Sequence, residues 1–425
     1  MDIFNKESNS HSDSLSKSDI SLDITPKSEE FITIIPDFQA NYYNNPHSGS
    51  IWLKKITRNL TFNLKYCFNL SLKRLYMITQ NSVYLLGKEY KCKPPMKKIY
   101  KELKKNIKEI VWVTYRTGIR EFEGEKGKVY NSDSGWGCTI RVGQMLLINC
   151  LKIHYKIENE TISELLKTIE DNMENSPFSL RKLLSTDITK GPGEWFSPSE
   201  VSHMIVSVLS NHPLNNFKAL VFMDSLILKD RLYSEACNIS FEDIRKCCIC
   251  SGISTSYSYI CEVCNKPQLS FKWVNSLLIM LPLMLGVRKI QSNYIDSLKK
   301  IFQNKYSVGI IGGKLKSALY LAGIKNNSVI VFDPHYVQDA SSSLSDFKRT
   351  LDTYFNPSLN TVEIENLESS MTVGFYFRNE EDFIDFSNQV VNEKELNNII
   401  FIKNQTPDYL LDSFSAPDSM IIEFD

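Results

Sequence analysis

A cysteine that follows two glycines and a tryptophan, in Ser132-Asp133-Ser134-Gly135-Trp136-Gly137-Cys138, stands where a polar loop gives way to an apolar stretch. If that stretch is a helix, Cys138 sits at its N-terminus. There the positive end of the macrodipole and the unpaired backbone N–H groups both favour an anion. A cationic histidine beside it would carry the thiol pKa from about 8.5 toward roughly 3.5–7.5. The glycines let the backbone approach a substrate closely, and Trp136 can wall a cleft. A buried structural cysteine at a tight turn fits the same run, so the motif needs a partner. Asp333-Pro334-His335 supplies one. It follows the apolar run Ser328–Phe332 directly and so lies at a strand end. In extended backbone, residues two apart project to the same side, and Pro334 stiffens the link. An aspartate beside an imidazole fixes the ring and stabilises its charged form. An exposed Asp-Pro turn is the plainer alternative. Of the six histidines, His11 and His47 lie in a polar N-terminal stretch, and His154, His203 and His212 have no motif around them. If Cys138 is a nucleophile, His335 is its natural base.

Five of the ten cysteines, Cys247, Cys248, Cys250, Cys261 and Cys264, fall in one short segment. The first residues are polar and lack the apolar core of a signal peptide, so the expected compartment is reducing. Thiols, ligands or catalysts are then expected rather than disulfides. Cys247 with Cys250 and Cys261 with Cys264 form two C-x-x-C knuckles that suit a tetrahedral zinc, leaving Cys248 a spectator. Four thiolates leave zinc no open position, so such a site is structural and no cofactor is expected for catalysis. A thiol-rich or redox loop without metal is the alternative. Near the N-terminus, Glu29-Glu30-Phe31-Ile32-Thr33-Ile34 has an aromatic and an aliphatic residue behind acidic ones. Such a segment adds as a strand to a partner's sheet, with Phe31 and Ile34 filling two pockets. A stray apolar patch in a tail reads the same way.

These groups need a scaffold. With 425 residues, 42% hydrophobic and 23% charged, the chain can bury one large domain and carry extras. Lys+Arg and Asp+Glu both number 49, so the basic footprint of a nucleic-acid binder is missing. Leu277–Val287 is the most apolar stretch, but it is short and carries Pro282, which suits a buried strand or turn rather than a bilayer span. Residues 1–50, dense in Ser, Asn and Asp, read as a disordered tail. Residues 51–402 read as the folded domain, with the Cys-rich insert at 247–264, and 403–425 as a second tail. Helical spacing recurs over 51–80. Lys97–Lys108 carries six lysines and reads as a solvated helix face, although such a face could also meet an acidic surface. Val83–Gly87 reads as a strand and turn, and Val111–Arg116 as a strand before a glycine-containing loop from Gly118 to Ser134. The apolar density from Ile140 to Leu151 predicts a buried helix. Ser197-Pro198-Ser199-Glu200 carries a capping box. Strands are expected at Ser276–Leu283, Ser307–Ile311, Ala318–Ala322, Ser328–Phe332 and Met371–Phe377, with a helix at Glu380–Val390. The class is α+β.

In their order and spacing these blocks resemble the autophagins, the autophagy-related protein 4 cysteine peptidases. Ser132–Cys138, continuing to Arg141, Gly143, Gln144 and Met145, is similar to the family's nucleophile motif. Gly193-Glu194-Trp195-Phe196-Ser197-Pro198 is similar to its tryptophan loop, Gly309–Lys314 to its Gly-Gly-Lys turn, and Asp333-Pro334-His335 to its acid and base. Val111–Arg116, Leu278–Gly286 and Val373-Gly374-Phe375 look like its strands, and the resemblance runs from about Val83 to Val390. It implies a papain-like fold, with a helical subdomain facing a β-rich one across a cleft. It implies a cysteine endopeptidase that cuts the ubiquitin-like autophagy modifier (autophagy-related protein 8 family) after its C-terminal glycine. One such cut primes the precursor; the other releases the modifier from phosphatidylethanolamine, with transient contact with autophagic membranes. The location would be cytoplasmic. By the same resemblance, Tyr115 and the Cys138 N–H would hold the oxyanion, and Trp195 would narrow the cleft around glycine. A core tyrosine and a large core tryptophan are the alternatives. The family's mobile loop commonly carries a proline, which Phe302-Gln303-Asn304-Lys305-Tyr306 lacks. A catalytically silent adaptor that binds the modifier, or a peptidase for another ubiquitin-like protein, would fit the chain less completely.

Overall fold

The computed structural model describes residues 82–407 apart from 92–95, 125–126, 159–160, 187, 189, 245, 247–249, 251–271, 356 and 358. The tail with Phe31 and Ile34, the expected helices over 51–80, and Cys247, Cys248, Cys261 and Cys264 lie outside the described residues. In chain order the strands are β1 (Val83–Leu85), β2 (Lys88–Tyr90), β3 (Tyr115–Glu123), β4 (Val129–Ser132), β5 (Phe217–Val221), β6 (Leu226–Leu228) and β7 (Ser276–Lys289). They continue as β8 (Ser307–Lys314), β9 (Ser317–Lys325), β10 (Ser328–Phe332), β11 (Val337–Asp339), β12 (Asn360–Glu363), β13 (Glu368–Phe377) and β14 (Phe401–Lys403). The longer helices are α1 (Met96–Lys108), α2 (Cys138–Tyr155), α3 (Pro198–Asn211), α4 (Lys229–Cys237), α5 (Ile295–Gln303) and α6 (Glu380–Asn392).

Among the described residues the main sheet runs β12–β10–β9–β8–β13–β7–β5, with β1 added to β9 and β2 to β1. Its strands are near-continuous apolar runs because both faces are covered. Successive side chains alternate, so Leu278 and Met280 enter the core under α2 and α3, while Leu277, Ile279 and Leu281 enter the core on the opposite face. Pro282 is tolerated inside β7 because β5 pairs only with Ser276–Met280. The missing N–H therefore costs no ladder bond on that side. No helix among the described residues is long and apolar enough to cross a membrane.

Helix α2 packs on β8 and β9, and every residue from Cys138 to Leu151 is buried. Its amphipathic stripe is lost because α3 covers the other side. Close approach needs glycine: a Cβ on Gly143 would lie 2.4 Å from Val201 Cγ1 on α3. Helix α3 begins with the expected capping box, in which Ser197 and Glu200 bond each other's backbone N–H. Two expectations are corrected. Val111–Thr114 is buried but outside any ladder; Asn149 holds both backbone groups of Val111 at 3.0 Å, and the Trp112 N–H donates to the Tyr354 carbonyl. The ladder starts at Tyr115 instead and runs through Gly118 into the supposed loop, pairing with β4 across a register shift between Thr117 and Phe122. Gly118, at φ +74, supplies the left-handed residue such a bulge requires, so here the glycine prolongs a strand. At the C-terminal end packing continues past residue 402. Thr406 is buried and bonds both Asp230 carboxylate oxygens, at 2.6 and 2.8 Å.

Candidate active site

Cys138 is the first residue of α2, and Gly137 before it offers no capping side chain. The turn is held from below: the Asp133 carbonyl accepts the N–H groups of Trp136 and Gly137 at 3.2 and 2.9 Å. A Cβ on Gly137 would sit 2.5 Å from Asp133 Oδ2, so only glycine closes this turn. Asp333 and His335 follow β10 and precede β11, which runs parallel to β3 with Val337 beside Tyr115. Tyr115 N–H donates to the Pro334 carbonyl at 3.0 Å, and Trp112 Nε1–H to the Asp333 carbonyl at 2.7 Å. The Asp333 carboxylate curls back on its own chain. Its Oδ1 accepts the His335 backbone N–H at 2.9 Å and pairs with ring Nδ1 at 2.5 Å. Aspartate favours such local turns. This turn aims the ring in place of the extended projection expected from the two-residue spacing. With Nδ1 so held, Nε2 is left for sulfur.

Cys138 is buried, 8% exposed. Burial pushes its pKa up, but hydrogen bonds from His335, the Ala318 backbone N–H and Tyr115, with the imidazolium charge, bring it below the ordinary value. Burial pulls His335 down, yet Asp333 and Cys138 outweigh it and lift the ring to about 9. The two shifts describe one pair, thiolate with imidazolium. Tyr115 goes the other way: burial and the neighbouring sulfur charge hold its hydroxyl well above the ordinary phenol, so it stays a donor. Its ring meets His335 edge-on, with centroids 5.4 Å apart at 87°. The site can therefore hold a nucleophilic sulfur, a proton donor and hydrogen bonds for a developing oxyanion. Trp195 is 49% exposed above the loop, with Nε1–H donating to the Gly135 carbonyl at 2.8 Å and Lys316 Nζ 5.6 Å from its ring. Trp136 is only 4% exposed, donates to the Ser132 carbonyl and meets Tyr130 edge-on. It packs under the loop, so the open aromatic wall belongs to Trp195.

Residues 100–389 match the family model for the peptidase C54 catalytic domain, well over half of the chain. The chain belongs to the peptidase C54 family. A probable cysteine protease ATG4 from Vanderwaltozyma polyspora is 28% identical over 329 residues, covering 73% of this chain and 69% of that protein. The cysteine protease ATG4A of Xenopus laevis is 27% identical over 335 residues, covering 74% and 78%. The cysteine protease ATG4 of Candida albicans reaches 30% over 262 residues, 60% and 51% of the two chains. Membership makes the protein a papain-like thiol protease of the ATG4 type with an α+β fold.

Within the C54 domain the structure adds residues that the sequence reading passed over. The turn after Gly312-Gly313-Lys314 reaches the site, sending the Ala318 N–H to the sulfur and Lys316 over Trp195. Phe302–Tyr306, compared above with the mobile loop, has Phe302, Asn304 and Tyr306 buried instead. Gly313 was the available signal: at φ +150, with a would-be Cβ 2.2 Å from the Ser317 carbonyl, it marks the tight hairpin. Beneath Cys138 lies a buried ionic network. Asp133 Oδ1 accepts the Arg116 N–H and Oδ2 accepts Arg141 Nε–H, both at 2.7 Å. Arg141 also donates to Asp171 at 2.7 Å and to Gln144 at 3.0 Å, and Gln144 donates to the Phe178 carbonyl. Burial disfavours the guanidinium charge, but Asp133 and Asp171 hold it well above its ordinary pKa. No group of three or more His, Cys, Asp or Glu that could hold a metal occurs among the described residues, where Cys250 is exposed.

Proposed function

We propose that this protease cuts the ubiquitin-like autophagy modifier after its C-terminal glycine, both priming the precursor and releasing the phosphatidylethanolamine conjugate in the cytoplasm. The observation that carries the reading is the Cys138 thiol bonded to an imidazole that Asp333 anchors and raises. Cys138 sulfur attacks the glycyl carbonyl, a C–S bond forms, and the oxyanion takes bonds from the Tyr115 hydroxyl and the Cys138 N–H. Collapse breaks the C–N bond as the His335 proton passes to the leaving amine. Neutral His335 then takes a proton from water, whose oxygen attacks the thioester. Glycine carboxylate leaves and the sulfur regains its charge. The half-exposed Trp195 over the loop suits a slot that admits a residue without a side chain.

Incubating the purified chain with a modifier that carries extra C-terminal residues tests this. Cleavage by the chain and none by Cys138→Ala is expected; an intact precursor after incubation with the unmutated chain would leave the silent adaptor. Phe31 and Ile34 are proposed as a docking segment, so replacing both with Ala should raise KM for the precursor while kcat holds. Cys247, Cys250, Cys261 and Cys264 are proposed to hold a structural zinc. Native mass with and without chelator reads it, and an unchanged mass dismisses it.

A further inference from the structure

Asp333 fixes His335 against its own chain, because both of its bonds to His335 lie within one turn. They do not fix the ring against Cys138, which stands on another element. That takes contacts from outside the turn, and Trp112 makes two. Its Nε1–H donates to the Asp333 carbonyl at 2.7 Å, and its ring meets Tyr336 edge-on, with centroids 5.3 Å apart at 71°. Asp333 and Tyr336 flank His335, so one indole grips the chain on both sides of the imidazole. A buried tryptophan needs an acceptor for its N–H, and any carbonyl would meet that need. Here the indole is 5% exposed, and the carbonyl belongs to the residue whose carboxylate holds the ring. We propose that Trp112 is a positioning residue that sets the His335 ring within hydrogen-bond reach of the Cys138 sulfur.

Trp112 is in turn tied to the helix that carries Cys138. Asn149, on α2, bonds both backbone groups of Val111 and also donates to the Met145 carbonyl one turn earlier. The Trp112 backbone N–H donates to the Tyr354 carbonyl at 2.9 Å, which holds it from the other side. A path from sulfur to imidazole therefore runs through α2, Asn149, Val111, Trp112 and Asp333. It accounts for a strip that is buried yet outside any ladder. The polar groups of Val111 and Trp112 are spent on α2, on Tyr354 and on the turn that carries the imidazole. Tyr115, three residues on, meets the same turn through its N–H to the Pro334 carbonyl. The inference rests on the proposed pairing of Cys138 with His335 and not on which substrate is cut.

Two replacements at position 112 separate the bond from the packing. Benzothienylalanine puts sulfur in place of the indole N–H at nearly equal volume, whereas Trp112→Phe removes the N–H and part of the ring. Alkylation of Cys138 by iodoacetamide is followed against pH in the full chain, without substrate, by mass spectrometry of the peptide that contains it. A ring displaced from the sulfur stabilises thiolate less, so the acid midpoint should rise by about one pH unit in both variants. Below both midpoints alkylation should then be about tenfold slower, and above both it should be unchanged. With the precursor, kcat should fall while KM holds. A merely structural loss would lower the amount of reactive thiol at every pH and leave the midpoint in place; that result would overturn the proposal. So would a benzothienyl variant that titrates as the unmutated chain does, which would assign the effect to ring volume. If the unmutated chain leaves the precursor whole, the proposed function fails while alkylation still decides the role of Trp112.

Discussion

His335 sits between two groups that want it charged, and the pH dependence follows. Its pKa is raised to about 9, so the imidazolium form is present in neutral solution and is lost as pH rises through that value. The stabilisation it brings is full below the unfolded value of about 6.5 and gone above 9. Cys138 is depressed, so its contribution is present above the ordinary thiol value and is lost as pH falls through the lowered one. The ion pair thus occupies the window between the lowered thiol and about 9, and kcat/KM should form a plateau there. Asp333→Asn removes the largest raising cause. The alkaline limb should slide toward about 6.5, leaving at most roughly thirtyfold less protonated base at pH 8, since Cys138 still holds part of the rise. A limb that stays near 9 in this variant would show that Asp333 is not what raises the ring. Tyr115→Phe keeps the ring contact with His335 and deletes only the hydroxyl. It should lower kcat by about 10²–10³ with KM nearly constant, as loss of one oxyanion donor does; a KM effect alone would place Tyr115 in substrate binding.

Helices α2 and α3 meet through Gly143, and this contact is where an element-scale change should show. A methyl group there would lie 2.4 Å from Val201 Cγ1 and 3.3 Å from Ile205 Cδ1, and a branched valine has no flexible end to swing away. Gly143→Ala should cost about 1–3 kcal/mol by overpacking, despite alanine's better helix propensity. Pairing it with Val201→Ala should recover part of that loss in urea denaturation; strictly additive losses would show the helices do not meet there. The same elements show what a single chain discloses. Helix α2 was legible from its apolar density, α3 from its capping box and β10 from its bounded apolar run, because those signals are local. That Cys138, Asp333 and His335 come together was legible because a thiol, a carboxylate and an imidazole that can act in concert have few chemical substitutes. The hydrogen bond from Ala318 was not, since a backbone N–H carries no side-chain signature. The continuation of β3 through Gly118 was missed because a bulge glycine and a turn glycine look alike until the partner strand is known. Arg141 was visible only as part of a motif. Its reason, two carboxylates reaching it from separate loops, is a long-range fact.

Seen across the whole molecule, that arginine ties together pieces that no sheet joins. Asp133 belongs to the loop before Cys138 and also holds the backbone of β3 one residue past Tyr115. Asp171 accepts the Leu180 N–H at the start of a short helix capped by Ser179, and Gln144 donates to the Phe178 carbonyl. Arg141 joins the two carboxylates with almost no exposure to water. Such a cluster need not add net stability over an apolar one, because removing the charges from water costs as much as their attraction returns. It does penalise any arrangement in which one member is displaced. Arg141→Met fills a similar volume but strands two buried carboxylates, and should destabilise by about 3–5 kcal/mol. Asp171→Asn strands less, and combined with Arg141→Met it should add much less than its own cost, because the two share one interaction. The site should register the same damage. With Asp133 freed, both Tyr115 and the turn before Cys138 lose their common anchor. Alkylation of Cys138 by iodoacetamide at neutral pH should then slow in Arg141→Met while the folded fraction, read by circular dichroism, remains high. Full alkylation rates together with a loss below 1 kcal/mol would mean that the catalytic turn is held by its backbone bonds alone.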